Sequence, residues 1–128
     1  MYMVSKSKRK KNNILLVDDD PHILDLYCQL LLDKGYSLTK ATSGERAIEA
    51  MGSNHFDMVI TDLTMGQVDG IAVLRKAKEL DPKTIVIITT ANTDIHYAIE
   101  ALRLHVDDYM LKPFDLQEFL IHISRCLN

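Results

Sequence analysis

The sequence predicts an α/β domain with one open, doubly wound five-stranded parallel sheet and five helices. Three observations carry that prediction. Short β-type runs alternate with longer helical patterns five times from Asn13 onward, the rhythm of a parallel sheet joined by helical crossovers. Three of the runs, ILLV, MVIT and IVIIT, are continuously apolar up to a polar end, as in central strands covered on both faces. The length of 128 residues, 47% of them hydrophobic, suits a single domain with one sizeable core.

The expected strands are residues 14–17, 37–41, 58–61, 84–89 and 108–111. The first helix starts at Pro21 behind Asp20 as N-cap, places Ile23, Leu26, Tyr27, Leu30 and Leu31 on one face, and stops at Gly35. Ser43 or Thr42 caps the second, which runs to about Gly52 with Ala47, Ile48 and Met51 inward. The third begins near Asp69, presents Ile71, Val73, Leu74 and Ala77, and ends before the Asp81-Pro82 turn. The fourth follows Thr93 and Asp94 and contains Ile95, Ala98, Ile99 and Leu102. Asp115 caps the last, which packs Leu116, Phe119, Leu120, Ile123 and Leu127.

Charge divides the chain. The net charge is −3, of which the first 13 residues, with Lys6, Lys8, Arg9, Lys10, Lys11 and no acid, contribute +5, so the remainder carries −8. We read residues 1–12 as a disordered, solubilising basic tail and residues 13–128 as the folded domain. The acidic remainder argues against a nucleic-acid-binding face. No apolar run approaches the roughly 20 residues that span a bilayer, and no apolar segment follows the basic start as in a secretion signal, so a cytoplasmic protein is expected. Cys28 and Cys126 read as small hydrophobes rather than a disulfide, and Met51, Met58, Met65 and Met110 as core residues, with Met3 in the tail. His22, His55, His96, His105 and His122 have no ligand spacing and are expected at the surface.

In a doubly wound sheet, ligands bind beyond the carboxyl ends of the strands. The first strand here ends in Asp18, Asp19 and Asp20, the third in Asp62, the fourth in Thr89 and Thr90, and the fifth runs into Lys112-Pro113. Carboxylates gathered in one cleft raise each other's pKa unless a cation neutralises them. Few hard oxygen ligands with room for water suit Mg2+, and Lys112 with a threonine hydroxyl adds donors for an anion beside it. A phosphoryl group on a carboxylate satisfies every part.

ILLVDDD, VITDLTM followed by DG, IITTA and DYMLKPF, in that order and spacing, resemble the receiver domains of bacterial and archaeal response regulators, over essentially all of the chain from Asn13 to Leu127. The resemblance implies a flavodoxin-like sheet of order 2-1-3-4-5 in a two-component phosphorelay. It implies Asp62 as the phosphoacceptor, charged from a sensor histidine kinase or histidine phosphotransfer protein. Asp19 would be the direct Mg2+ ligand, Asp18 the one acting mainly through water, and the backbone carbonyl of Thr64 a further ligand beside Asp62. Lys112 would pair with a phosphoryl oxygen, Thr90 and Tyr109 would be the switch pair, and Pro113 often follows a cis peptide bond in this family. The fourth helix, fifth strand and fifth helix would form the face read by a downstream output domain or protein, and a candidate dimer face. Such a domain is not counted as an enzyme, although it catalyses its own phosphorylation and dephosphorylation. Asn92 and Thr64 resemble tuners of the dephosphorylation rate.

Two positions depart from the pattern: Gly66 stands where proline usually follows Met65, and His105-Val106 where Gly-Ala often stands. Two other functions share parts of the constellation. A phosphatase of the haloacid dehalogenase type would need a second acid just after the nucleophile, where Leu63 and Thr64 stand. A flavin-binding module would need a phosphate loop rich in Ser, Thr and Gly after the first strand, where DDDPH has the wrong charge.

Overall fold

A computed structural model describes residues 12–128; the basic run from Lys6 to Lys11, Met3, and nearly all of the expected tail lie outside the described residues. The chain runs β1 (Asn13–Val17), α1 (Pro21–Asp33), β2 (Ser37–Ala41), α2 (Gly44–Ser53), β3 (Met58–Asp62), α3 (Gly70–Leu80), β4 (Ile85–Thr90), α4 (Ile95–Arg103), β5 (Asp108–Leu111) and α5 (Leu116–Leu127). All four strand pairings are parallel, in the order β2-β1-β3-β4-β5, which is the expected sheet. β4 begins one residue later than expected and keeps Thr90, because Thr90 pairs with Leu111 of β5.

Two apolar layers sandwich the sheet. Alternate residues of the central strands face opposite ways: Leu15, Val17, Val59, Val86 and Ile88 pack against α2, α3 and Ala101 of α4, while Ile14, Leu16, Met58, Ile60 and Ile87 pack against α1 and α5. Each helix starts on a side-chain cap. Asp20, Ser43, Asp69, Asp94 and Asp115 each accept from a backbone N–H two or three residues on. These caps hold donors that the helices cannot satisfy themselves. Between the two candidate caps of α2, Ser43 is the cap.

Two expected faces, those of α1 and α5, need correction, and α4 buries little of its apolar set. In α1 the inward stripe is Leu24, Tyr27, Cys28 and Leu31, and Leu26 is exposed; the helix is apolar on most sides, so two stripes of helical spacing compete, and the sheet selects one. In α4 Ile95 and Leu102 are 65% and 68% exposed, Ile99 is exposed too, and only Ala101 is buried. In α5 Leu116 is exposed, whereas Phe119 and Ile123 are fully buried. His122 is not a plain surface residue: its Nδ1 meets Asp108 Oδ2, and both side chains are half-buried. Cys28 and Cys126 are free, and Met51, Met58, Met65 and Met110 are buried.

α1 and α4 end in the same way with different residues. Gly35 N–H donates to Leu32 O and Tyr36 N–H to Leu31 O, with Gly35 at φ +94°; His105 N–H donates to Leu102 O and Val106 N–H to Ala101 O, with His105 at φ +66°. Both are the paired closures of a Schellman ending, whose turning residue is favoured as glycine. The turn into β5 therefore forms on a histidine held in left-handed backbone. His105→Gly is expected to raise stability by about 0.5–1 kcal/mol, the left-handed cost of roughly 1–2 kcal/mol less glycine's added unfolded-state entropy. Chemical denaturation would measure it, and a destabilised variant would refute the strain. Gly66 sits at φ +32°, which a proline ring held near −65° cannot reach, so the loop after Met65 follows a path that the usual proline excludes.

Candidate functional site

The site lies where the chain order reverses, between the carboxyl ends of β1 and β3. Asp18 follows β1 and is only 5% exposed; its Oδ1 accepts the Asp20 N–H at 2.9 Å, which fixes its side chain. Asp19 beside it is exposed, and Asp20 faces away as the cap of α1. Asp62 ends β3 and is half-buried. Oxygens of Asp18, Asp19 and Asp62 all lie within 4.8 Å of one another.

Lys112 enters from the far edge. Its N–H donates to Thr90 O at 2.7 Å, which ties the end of β5 to β4, and the Lys112-Pro113 peptide bond is cis. Its Nζ stands 3.6 Å from Asp18 Oδ2 and 3.8 Å from Asp62 Oδ1. One ammonium faces three carboxylates, so negative charge is left over. Burial pushes the Asp18 carboxyl above its ordinary pKa, against the pull of the Asp20 N–H and Lys112. Burial raises Asp62 as well, with Lys112 pulling down and Asp18 pushing up.

Thr90 is buried, and its Oγ1 accepts the Asn92 N–H at 2.9 Å. Asn92 Oδ1 accepts the Asp94 N–H, and Asp94 Oδ1 caps α4 through His96 N–H, so side-chain bonds run unbroken from Thr90 to that helix. Tyr109 stands on β5 beside Ile88 of β4, with its hydroxyl buried and unpartnered among the described residues. Burial raises its pKa, with Asp94 and Tyr97 adding to the shift. Thr64 sits exposed in the loop two residues past Asp62. The structure thus gathers Asp18, Asp19, Asp62 and Lys112 in one cleft and holds Thr90 beside it, bonded to its own loop.

Tyr27 was expected only as core. Its ring is buried, yet its phenol lies close enough to the cleft for Asp18 and Asp62 to raise its pKa further after burial has done so. Helical spacing shows which face a residue is on and not how far its polar tip reaches.

This arrangement agrees with what known proteins show, since the family described as the response regulator receiver domain matches residues 14–124. The chain belongs to that family. The transcriptional regulatory protein ZraR of Escherichia coli is 36% identical over 115 residues, covering 90% of this chain and 26% of ZraR. The response regulator SaeR of Staphylococcus aureus is 36% identical over 117 residues, covering 91% of this chain and 50% of SaeR. The chain thus spans a quarter to a half of the length of these curated relatives. Among solved structures, a CheY-like receiver domain protein from Methanospirillum hungatei is 27% identical with a TM-score of 0.89, covering 92% of this chain and 94% of its own. A receiver domain protein from Clostridium thermocellum is 33% identical with a TM-score of 0.81, covering 91% and 94%.

This receiver domain is therefore a phosphorelay signalling module of the two-component type, with the flavodoxin-like fold expected, and its family is not in itself an enzyme family. Receiver domains bind Mg2+ through an acidic pocket, and the Asp18, Asp19 and Asp62 cluster has the chemistry of one. The donor set fits: hard oxygens, one of them nearly buried, with charge that Lys112 alone does not balance. Among the described residues no helix is long and apolar enough to cross a membrane.

Proposed function

We propose that Asp62 is the phosphoacceptor of this receiver. The observation that carries the reading is its carboxylate, set within 4.8 Å of two further carboxylates and 3.8 Å from the Lys112 ammonium at the strand ends. An Asp62 oxygen attacks the phosphorus of a phosphohistidine on a kinase or phosphotransfer protein. The P–N bond breaks as the P–O bond forms, and its electron pair returns to the imidazole. Asp19 and Asp62 directly, Asp18 mainly through water, and the Thr64 carbonyl would hold Mg2+. When bound, it neutralises the carboxylates and the phosphoryl oxygens. Lys112 then pairs with a phosphoryl oxygen.

Phosphorylation adds roughly −1.5 to −2 charge and strong acceptor oxygens. Thr90 can meet one by turning its hydroxyl from the Asn92 N–H, which loosens the bonded path to α4, and Tyr109 moves with it. The exposed Ile95, Leu102 and Leu111 support α4, β5 and α5 as the face that an output partner, or a second copy, reads. Thr64, two residues past Asp62, and Asn92, bonded through its N–H to Thr90 Oγ1, would be the tuners of self-catalysed dephosphorylation. Residues 13–128 form the domain, residues 1–12 its basic tail, and a kinase-coupled receiver acts in the cytoplasm.

Incubation with acetyl phosphate and Mg2+ tests this by intact mass. Wild type is expected to gain one phosphoryl group and Asp62→Asn none. An unlabelled wild type with no beryllofluoride-dependent spectral change would sink the reading, and labelling retained in the variant would move the site to Asp18 or Asp19.

A further inference from the structure

Between Asp62 and α3 the chain makes a tight loop, residues 63–69, closed at its base by Gly70 N–H donating to Leu63 O at 2.8 Å. Leu63 and Met65 are buried pegs on either side of the exposed Thr64. The space around this loop is unusually tight. A Cβ on Gly70 would lie 2.5 Å from Asp62 O, 2.8 Å from Leu63 Cα and 3.1 Å from Asp62 C. A Cβ on Gly44, at the start of α2, would lie 2.2 Å from Val68 O and 2.7 Å from Val68 Cγ1 on the other side of the same loop. Real Cβ atoms essentially never come within 3.0 Å of such atoms, and those met by Gly70 are all backbone.

Neither glycine is there for a left-handed turn, since neither has a positive φ. Nor does either help its helix, because glycine is a poor helix former. What each supplies is clearance, and the clearance at Gly70 is against the peptide that carries Asp62.

We infer that Gly70 is a positioning residue for the phosphoacceptor, letting α3 press against the Asp62-Leu63 backbone so that the Asp62 carboxylate and the Thr64 carbonyl both face the acidic cleft, with Gly44 holding the loop from the opposite side. This rests on the reading of Asp62 and Thr64 given above. A methyl group at Gly70 has only backbone to push, so Asp62 and the start of the loop must move. A misplacement on the order of 1 Å costs about 10²-fold where reacting groups are held in register. The Gly66 loop, without the proline ring that usually stiffens it, depends more on these two contacts.

The test uses the full chain with four substitutions: Gly70→Ala, Gly44→Ala, Gly52→Ala and Val73→Ala. Gly52→Ala adds the same methyl group on α2 where nothing lies within 4 Å. Val73→Ala empties a fully buried site on α3, so it lowers stability through the same helix without touching Asp62. Mg2+ affinity is read from backbone amide NMR shifts and phosphorylation from acetyl phosphate labelling, both well below each melting temperature.

Gly70→Ala is expected to weaken Mg2+ binding and slow labelling by roughly 10- to 100-fold, and Gly44→Ala to do so less. Gly52→Ala and Val73→Ala should stay within about twofold of wild type in both readouts, Val73→Ala despite its lower melting temperature. A folded Gly70→Ala that binds and labels like wild type overturns the inference, as does an equal loss of Mg2+ affinity in Val73→Ala. If Gly70→Ala does not fold, Gly44→Ala decides, and wild-type affinity there overturns it. Failure of the wild type itself to label would instead count against Asp62 as the acceptor.

Discussion

Asp18→Asn and Asp62→Asn are each expected to raise the melting temperature of the Mg2+-free protein at pH 7 while abolishing labelling by acetyl phosphate. The loss of labelling follows from the roles proposed for the two carboxylates, and the gain in stability from their burial. Burial raises the pKa of both carboxyls above the unfolded value, so folding favours their protonated forms. The stability that this contributes is fully present below the unfolded pKa and is lost as pH rises through the folded one. Once ionised, each carboxylate carries first the cost of burial and then the repulsion of like charge, from Asp19 at Asp18 and from Asp18 and Asp19 at Asp62, which destabilises the metal-free fold. Asparagine is a neutral isostere that keeps an oxygen for the Asp20 N–H at position 18, so it removes the buried charge without opening a cavity.

Mg2+ should have the opposite signs. A cation bound only by the folded state stabilises it by about 2.7 kcal/mol at a hundredfold excess over its Kd, and each kcal/mol is worth roughly 3–5 °C in a domain of this size. Wild type should gain this at pH 7 and lose it as pH falls and the carboxyls take up protons. Asp18→Asn should gain little at any pH. Thermal melts with and without Mg2+ at several pH values would check both. A metal-free Asp18→Asn that melts below wild type at pH 7 would mean that the Lys112 contact at 3.6 Å outweighs the cost of burying the charge.

The chemistry of this cleft could be read from the sequence because it sits at strand ends. A continuously apolar strand must stop somewhere, and here β1 and β3 stop at acids and β4 at threonines, while Lys112 directly follows β5; the topology then puts those ends side by side. What stayed hidden depends on distance across the fold. Tyr27 looked like core because its spacing is that of core, and only the packing of α1 shows its phenol near Asp18 and Asp62. Gly70 looked like part of a DG pair, and only the approach of α3 to Asp62 gives its missing side chain a purpose. The apolar set of α4 could be read from the sequence, but not that Ile95 and Leu102 face outward, because a period of 3.6 shows that a stripe exists and not which surface covers it. His122 carried no spacing signal because its partner, Asp108, lies on a different element.

The second large effect concerns stability and reaches the site through packing. Phe119 of α5 is fully buried, with its ring centroid 4.7 Å from that of Tyr27 on α1 and 5.4 Å from that of Phe114, on which it stacks. Phe114 follows the Lys112-Pro113 pair, so these three rings anchor the turn that carries the ammonium to a helix on each side. Phe119→Ala is expected to cost about 3–5 kcal/mol, since the closely packed layer collapses only partly into the vacated space. At roughly 3–5 °C for each kcal/mol, that lowers the melting temperature by about 9–25 °C. Phe119→Leu keeps most of the volume and should cost under about 1.5 kcal/mol. If the trio also places Lys112, Phe119→Ala should slow acetyl phosphate labelling in the fraction that stays folded, while Ile123→Ala, equally buried on the same helix but outside the trio, should lower stability without slowing it. Equal rates in both variants would mean that the turn is held by the Lys112 N–H bond to Thr90 O alone, and that the rings serve only the core.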